Sequence, residues 1–182
     1  MRLVLINGSP RRDGNTSYLL GQVREAFGAA EGDWLELRAY EAGIGPCVDC
    51  RACKSGALEC ALRDGMTAVY RQLEAADVIV VGSPIYWSGV AGPVKDLLDR
   101  LRPYYKSGRL RGKRFMSVSV GASGEAEADL MAEAYRRIAG ALGMEILGQV
   151  SATGFDPGDA EREGWDGARI AARIAPVAAS PT

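Results

Sequence analysis

Apolar and polar positions along the chain follow two alternating periodicities. Short runs dominated by apolar side chains predict strands buried on both faces, at residues 3–6, 78–81 and 115–120. Residues 34–38 alternate apolar and polar positions, which predicts an edge strand with one wet face, and residues 146–150 predict a last strand. Apolar positions at helical spacing predict helices at about 16–29, 66–76, 93–101, 130–143 and 160–174. The fourth of these helices carries its apolar positions at Leu130, Ala134, Ile138 and Ala141.

The alternation of five strands with five helices predicts an α/β fold. The sheet is expected to be open, parallel and doubly wound, with helices on both faces. An edge-like second strand beside buried first and third strands fits the strand order 2-1-3-4-5, and ligands in such sheets bind beyond the carboxyl ends of the strands. We expect one domain over residues 1–175, with a cysteine-rich insertion at about 43–64 and a C-terminal tail at 176–182.

The first strand leads into a loop, residues 7–17, which reads NGSPRRDGNTS and precedes the first helix. Free backbone N–H groups and the helix dipole favour an anion at a helix start. Side-chain donors are available from Ser9, Asn15, Thr16 and Ser17, and positive charge from Arg11 or Arg12. The alternative is a helix that is simply capped by Asn15 or Thr16. Four donors and two arginines are more than a cap needs, which favours a phosphate site.

A second loop candidate follows the third predicted strand. Tyr86 and Trp87 are large flat side chains beside small, flexible residues, a combination that suits a planar ring system. The alternative is that these side chains cover the core, which is the better interpretation for Ile85. The fourth strand ends in small residues, at 121–124, that permit close backbone approach to a ligand.

Composition narrows the class of function. The formal net charge is −1 and there is no basic block, so neither nucleic acid nor a membrane surface is an expected partner. No apolar run reaches the length of a membrane span and no secretory signal is visible, so the cytoplasm is the expected location. The chain has no histidine, which excludes Ser–His and Cys–His nucleophilic catalysis and His-containing metal sites. A bound cofactor is therefore expected to carry the chemistry.

The four cysteines fall in one loop with the spacing C-x2-C-x2-C-x6-C, at Cys47, Cys50, Cys53 and Cys60. Successive C-x2-C steps are typical of a compact run that wraps a [4Fe–4S] cluster. Structural zinc usually takes two such knuckles separated by a longer stretch. Zinc, redox-active thiols and a loop that merely packs remain alternatives.

The two ligand loops, in this order, resemble those of the NADPH-dependent FMN reductase group of flavodoxin-like proteins. Residues 7–17 resemble that group's phosphate loop, and residues 82–87 through Lys95 and residues 99–101 are similar to its flavin-ring loop and the following helix. The resemblance runs from residue 1 to about 150, and it implies a flavodoxin-like fold and bound FMN. The implied phosphate contacts are Ser9, Arg11, Asn15, Thr16 and Ser17. The implied ring contacts are Pro84, Ile85, Tyr86, Trp87, Ser88, Gly121, Ala122, Ser123 and Gly124.

Within that group, the cysteine loop resembles that of the iron–sulfur flavoproteins, in which a cluster and FMN exchange electrons. The resemblance implies Cys47, Cys50, Cys53 and Cys60 as cluster ligands. One departure stands out, because relatives commonly have two consecutive acids before the methionine, where this chain has Asp64 and then Gly65.

The resemblance implies an FMN-dependent oxidoreductase, with NAD(P)H or a ferredoxin-type protein as electron donor and a small molecule as acceptor. It also implies a homodimer or a higher homo-oligomer. No side chain is expected to act as a catalytic acid or base, which agrees with the absence of histidine. A non-catalytic flavodoxin-like electron carrier or a redox-sensing flavoprotein is the alternative.

Overall fold

A computed structural model describes residues 1–123 and 125–174, with the side chains of residues 125–127 outside the description. The strands are β1 (Leu3–Asn7), β2 (Trp34–Arg38), β3 (Val78–Tyr86), β4 (Gly89–Val90), β5 (Arg114–Gly121) and β6 (Glu145–Thr153). The helices are α1 (Asn15–Ala26), α2 (Met66–Ala75), α3 (Gly92–Asp99), α4 (Arg102–Ser107), α5 (Glu125–Leu142), α6 (Asp159–Arg162) and α7 (Gly167–Ala171). None of these helices is long and apolar enough to cross a membrane. The predicted tail at 176–182 lies outside the described residues.

Five parallel strands form the sheet in the order β2-β1-β3-β5-β6, which is the order predicted for five strands. The α/β fold class is therefore confirmed. The strand count differs by one, because the two-residue strand β4 pairs antiparallel with the end of β3. Strand β3 also continues through Gly82, Ser83 and Pro84, which stay in parallel register with β5 despite their loop-like composition.

The central strands are buried on both faces because helices cover the sheet from both sides. In β1 all five residues are buried, and alternate side chains enter two separate cores. Val4 and Ile6 pack into the core shared with α2, α3 and α5, whereas Leu3 and Leu5 pack against α1 and α7. β2 is only half-buried, as its alternating pattern predicts for an edge strand.

Two helix predictions are corrected by the structure. The predicted helix at 160–174 is two short helices, α6 and α7, separated at Gly164, whose φ is +75°. The break turns the Trp165 side chain into the core, where it is 2% exposed. The predicted helix at 93–101 ends at Asp99, and the separate helix α4 begins at Arg102 with Pro103 in its first turn.

Helix α5 packs through a different face from the one its first apolar positions indicate. Leu130 is 61% exposed, and Ala134 and Ala141 are also exposed. The buried face lies one residue further along, at Met131, Tyr135, Ala139 and Leu142. Both sets have helical spacing, and burial of Tyr135 and Met131 removes more apolar area from water than burial of two alanines does.

Candidate functional site

A cavity of about 270 Å³ lies beyond the carboxyl ends of β1, β3, β5 and β6. It brings together the three loops predicted from the sequence and adds a fourth segment, which follows β6. Its lining residues are Ser9, Arg11, Gly14, Asn15, Thr16, Pro84, Ile85, Tyr86, Val120, Gly121, Ala122, Gly154 and Phe155. Most of the phosphate and ring contacts predicted from the sequence therefore converge at the predicted switch point. The exceptions are Ser17, Trp87, Ser88 and Ser123, which do not line the cavity, and Gly124, which lies outside the described residues.

The loop after β1 is folded by its own side chains. Asn7 is completely buried, and its Oδ1 accepts a hydrogen bond from the Ser9 backbone N–H at 2.9 Å. Its Nδ2 donates to Ser17 Oγ at 2.9 Å and to Glu36 Oε1 at 2.7 Å. Ser9 Oγ in turn accepts from the Arg11 backbone N–H at 3.1 Å. These bonds fix the turn between β1 and α1.

Gly8 allows this loop to lie directly against β3 and α3. Its backbone N–H donates to the Gly82 carbonyl at 2.8 Å. A Cβ atom at this position would lie 2.3 Å from Val94 Cγ2 and 2.8 Å from the same carbonyl oxygen. No larger residue fits there. The loop can lie this close to β3 and to the start of α3 because residue 8 has no side chain.

The start of α1 is well suited to an anion. Its N-cap is Gly14, no side chain caps it, and its first turn contains no acidic residue. The positive end of the helix dipole therefore meets the cavity wall at Gly14, Asn15 and Thr16. Arg11 adds a guanidinium, whose Nη1 donates to the Phe155 carbonyl at 3.0 Å. The described residues that line the cavity include no carboxylate that would oppose an anion.

Two of the predicted phosphate contacts have other bonds in this structure. Asn15 lines the cavity, but its Nδ2 donates to the Asp156 carbonyl at 2.9 Å and its Oδ1 accepts from the Ala160 N–H at 3.2 Å. Ser17 does not line the cavity, and its hydroxyl donates to the Arg11 carbonyl at 3.3 Å and accepts from Asn7. The hydroxyl of Ser9 and the backbone N–H and hydroxyl of Thr16 are the better candidates for a phosphate, because the Ser9 N–H already donates to Asn7.

Residues that follow β6 were missed by the sequence reasoning. Gly154 and Phe155 line the cavity, and Phe155 is 76% exposed. The strand pattern alone predicts their position, because β6 is also a parallel strand and its carboxyl end lies at the same edge of the sheet.

The tip of the β3–β4 hairpin is strained. Trp87 and Ser88 have φ values of +53° and +58°, a left-handed pair that hairpin turns normally fill with Asn or Gly. Such positions cost about 1–3 kcal/mol each and concentrate at functional sites. The Trp87 side chain is fully exposed at the tip, and neither Trp87 nor Ser88 lines the cavity. Tyr86 does line it and is half-exposed, so the hairpin presents two aromatic surfaces beside the site.

The loop after β5 contributes two of its four predicted contacts to the cavity. Gly121 and Ala122 form part of the wall. Ser123 is exposed and is not among the lining residues. Gly124 lies outside the described residues.

The cysteine segment lies between β2 and α2, and its regular structure is one 3-10 turn at Ala52–Lys54. The four cysteines, all free thiols, line one small cavity of about 20 Å³, together with Arg100 and Arg102. Within the described parts of the chain, no three Cys, His, Asp or Glu side chains are arranged closely enough to hold a metal ion. The donor set is that of an iron–sulfur site, but the space between the thiols accommodates about one water molecule.

Basic side chains from α4 and the turn after it hold this segment. Arg102 Nη1 lies 3.2 Å from a carboxylate oxygen of Asp49. Lys106 Nζ donates to the Lys54 carbonyl at 2.9 Å, and Arg109 Nη2 to the Ala57 carbonyl at 3.4 Å. Positive charge around four thiols suits a centre that is bound as thiolates and carries net negative charge.

This chain is similar to known proteins in both sequence and fold. The sequence profile of the NADPH-dependent FMN reductase family matches residues 1–157. An iron-sulfur flavoprotein of Methanocaldococcus jannaschii is 36% identical over 126 residues, which cover 68% of this chain and 63% of that protein. An iron-sulfur flavoprotein of Archaeoglobus fulgidus is 37% identical over 121 residues, which cover 65% of this chain and 58% of that protein. The chain thus spans about three fifths of the length of these curated relatives.

Solved structures share the fold at lower identity. The Trp repressor binding protein from Bacillus subtilis superposes with a TM-score of 0.70 at 18% identity, over 98% of this chain and 100% of that one. A flavodoxin, WrbA-like protein from Agrobacterium tumefaciens gives a TM-score of 0.63 at 19% identity, over 94% of this chain and 95% of that one. These likenesses establish a flavodoxin-like fold. The match over residues 1–157 establishes that this chain belongs to the NADPH-dependent FMN reductase family.

Proposed function

We propose that this chain is an FMN-dependent oxidoreductase that takes electrons from NAD(P)H and passes them to a small acceptor. The observation that carries the proposal is one cavity at the switch point of a flavodoxin-like sheet, with an anion-binding end at α1 and the Tyr86 ring at its rim. Family membership supports FMN as the ligand.

The residues present fit FMN. Backbone amides at the start of α1, with Ser9, Thr16 and Arg11, would hold the phosphate. Pro84, Ile85 and Tyr86 on one side and Gly121 and Ala122 on the other would flank the ring. The volume of 270 Å³ lies near the lower end of ligand pockets, about 300 Å³, so the ligand would also contact the open rim beside the hairpin.

Bound FMN would supply hydride and single-electron chemistry. The tasks left to the chain are to bind, to orient and to exclude water from one ring face. The described lining residues contain neither a carboxylate nor a thiol, so no lining side chain is placed to act as acid or base near neutral pH.

The proposal includes a [4Fe–4S] cluster held by Cys47, Cys50, Cys53 and Cys60. The relatives named as iron-sulfur flavoproteins and the shared cavity of the four thiols support it. The segment would have to widen to admit a cluster, since the present space is about 20 Å³. A ferredoxin-type protein is then a second candidate donor. Four free thiols fit a reducing compartment such as the cytoplasm.

Binding of FMN is tested by titrating the protein with FMN and following flavin fluorescence. We expect Arg11→Ala to weaken binding about tenfold or more, because a charge-assisted hydrogen bond contributes roughly 1.5–3 kcal/mol. The matched control is Arg12→Ala, because Arg12 is exposed, pairs with Glu41 at 2.5 Å and does not line the cavity. Equal effects of the two variants would contradict the assignment of the phosphate end.

Turnover separates an enzyme from an electron carrier. Steady-state oxidation of NADH or NADPH, with free flavin or a quinone as acceptor, is expected to depend on bound FMN. Reduction only by a ferredoxin, with no turnover from either nicotinamide donor, would favour the carrier. Iron and sulfide analysis after anaerobic reconstitution tests the cluster, and four alanine variants, one at each cysteine, are expected to lose iron.

A further inference from the structure

Arg100 is a fully buried cation that the FMN site does not use. It follows α3 directly, and its side chain is 1% exposed. Nη1 donates to Asp64 Oδ2 at 2.7 Å, and Nη2 donates to Asp64 Oδ1 at 3.0 Å. Nη1 also donates to the Gly45 carbonyl at 2.9 Å. Its backbone is held as well, because the Tyr70 hydroxyl donates to the Arg100 carbonyl at 2.6 Å.

These bonds join the two ends of the cysteine segment. Gly45 lies two residues before Cys47, and Asp64 lies four residues after Cys60. Asp64 Oδ2 also accepts the Gly45 backbone N–H at 3.1 Å, and its Oδ1 accepts the N–H of Met66 at the start of α2. One ion pair therefore closes the segment at its base and fixes it to both α2 and α3.

Gly65 completes this closure. Its N–H donates to the Gly43 carbonyl at 3.2 Å, and a Cβ at position 65 would lie 1.6 Å from the Ala42 carbonyl oxygen. No side chain fits here, so the backbone of residues 42–43 lies directly against the start of α2. The base of the segment is therefore closed by backbone contact as well as by the ion pair.

The third nitrogen of the Arg100 guanidinium, Nε, is not used in these bonds. Nε is buried, and within the described parts of the chain it makes no hydrogen bond. A buried N–H without an acceptor is costly, so a sulfur acceptor in the adjoining cavity would relieve that cost. Arg100 lines the same small cavity as Cys60 and the other three cysteines. The guanidinium is charged, because an arginine side chain keeps its proton in proteins.

We propose that Arg100 is a positioning residue for the centre held by the four cysteines: its Nη groups close the segment, and its Nε–H donates to a sulfur of that centre. The inference rests on the cluster named in the proposed function. Hydrogen bonds to sulfur and nearby charge set the reduction potential of such centres. A positive charge stabilises the reduced form, so Arg100 raises the potential and Asp64 opposes it.

Arg100 and Asp64 are expected to shift the reduction potential of the cluster in opposite directions, and this difference can be measured. In anaerobically reconstituted protein, the reduction potential is measured by redox titration monitored by electron paramagnetic resonance. Arg100→Gln is expected to lower the ratio of reduced to oxidised cluster at a fixed potential about tenfold, which is 59 mV for one electron. Asp64→Asn is expected to raise that ratio. Arg100→Lys keeps the charge and is expected to stay closer to wild type than Arg100→Gln.

Arg136→Gln is the matched control. It removes one positive charge from the exposed surface of α5, where Arg136 pairs with Glu133, and is expected to leave the potential unchanged. A purely structural role for Arg100 and Asp64 would move both variants in the same direction or leave both potentials unchanged. Either result would overturn the proposal.

A second measurement covers variants that do not retain iron. Arg51, Lys54 and Arg63 are trypsin sites in or beside the segment, and Arg100→Gln is expected to speed cleavage there about tenfold while Arg136→Gln does not. Loss of iron with wild-type cleavage contradicts the closure. If the wild-type protein binds no iron, the cluster of the proposed function is refuted. If the wild-type protein binds iron but Arg100→Gln changes neither the reduction potential nor the cleavage rate, only the inference about Arg100 is refuted.

Discussion

Asn7 and Arg100 are polar side chains that are almost completely buried, and each shapes the chain around one of the two candidate sites. Asn7 makes three side-chain hydrogen bonds, which fold the loop at the candidate FMN site. Ser83, also buried, accepts the Ala91 N–H at 2.9 Å and donates to the Pro84 carbonyl at 2.8 Å, which fixes the hairpin stem. The conformation of both loops thus depends on single buried polar groups whose bonds are internal.

The Asp64–Arg100 pair predicts a dependence of stability on pH. The hydrogen bonds from Arg100, and then those from Gly45 and Met66, lower the pKa of Asp64 below the ordinary aspartate value. A depressed pKa in the folded state contributes stability that is fully present above the unfolded value, about 4, and is lost as the pH falls through the folded value. We therefore expect the unfolding free energy of Asp64→Asn to lie below wild type at pH 7.

Chemical denaturation of both proteins at a series of pH values measures this difference. The gap between wild type and Asp64→Asn is expected to shrink as the pH is lowered below about 4. A gap that stays constant from pH 7 to pH 3 would show that the carboxylate charge contributes nothing to folding.

At the scale of elements, the closure between residues 42–45 and the start of α2 depends on Gly65. We expect Gly65→Ala to destabilise the fold by about 2–3 kcal/mol, because the new Cβ overlaps the Ala42 carbonyl oxygen and the backbone has to shift. Gly140→Ala is the matched control, since Gly140 lies inside α5 and nothing lies within 4 Å of its Cβ position. That control is expected to stabilise the protein by about 0.5–1 kcal/mol. Similar unfolding free energies for both variants would contradict the close approach.

The hairpin between β3 and β4 is a second element that stores strain. Replacing Trp87→Asn together with Ser88→Gly gives the sequence that left-handed turns prefer. We expect the double variant to raise the unfolding free energy by about 1 kcal/mol or more, because two strained φ values become ordinary ones. Weaker FMN binding in the same variant, measured by fluorescence titration, would indicate that Trp87 contacts the ligand, either in its own chain or in a partner copy. A less stable variant would argue against strain at the tip.

At the scale of the whole molecule, an apolar groove of about 530 Å³ lies between the cysteine segment, α4 and α5. Ile138 and Ala141 line it together with Tyr105, which is 70% exposed, and the exposed Leu130 lies further along α5. The homodimer that the family resemblance implies makes a second copy of this chain its expected occupant. Tyr105→Glu is then expected to lower the dimer fraction in analytical ultracentrifugation at least tenfold, whereas Arg136→Gln is not. A wild-type protein that sediments as a monomer at micromolar concentration would contradict this assembly.

The sheet order and the position of the candidate site could be predicted from patterns in the sequence. Apolar runs at residues 3–6 and 78–81 identify central strands, and parallel strands bring their carboxyl ends to one edge. The buried face of α5 could not be predicted in this way, because two sets of apolar positions in α5 both have helical spacing. The break at Gly164 could not be predicted either, because it depends on Trp165 packing against residues far away in the sequence. The closure by Arg100 was also out of reach, because it joins residues 36 and 55 positions apart.

A crystal structure of the protein with FMN is the most direct measurement. We predict that the phosphate lies at the start of α1, within hydrogen-bond distance of backbone N–H groups at Gly14, Asn15 or Thr16. The ring is expected between Tyr86 and the wall formed by Gly121 and Ala122. An empty cavity in the presence of saturating FMN, or FMN bound only in the apolar groove beside α5, would contradict it.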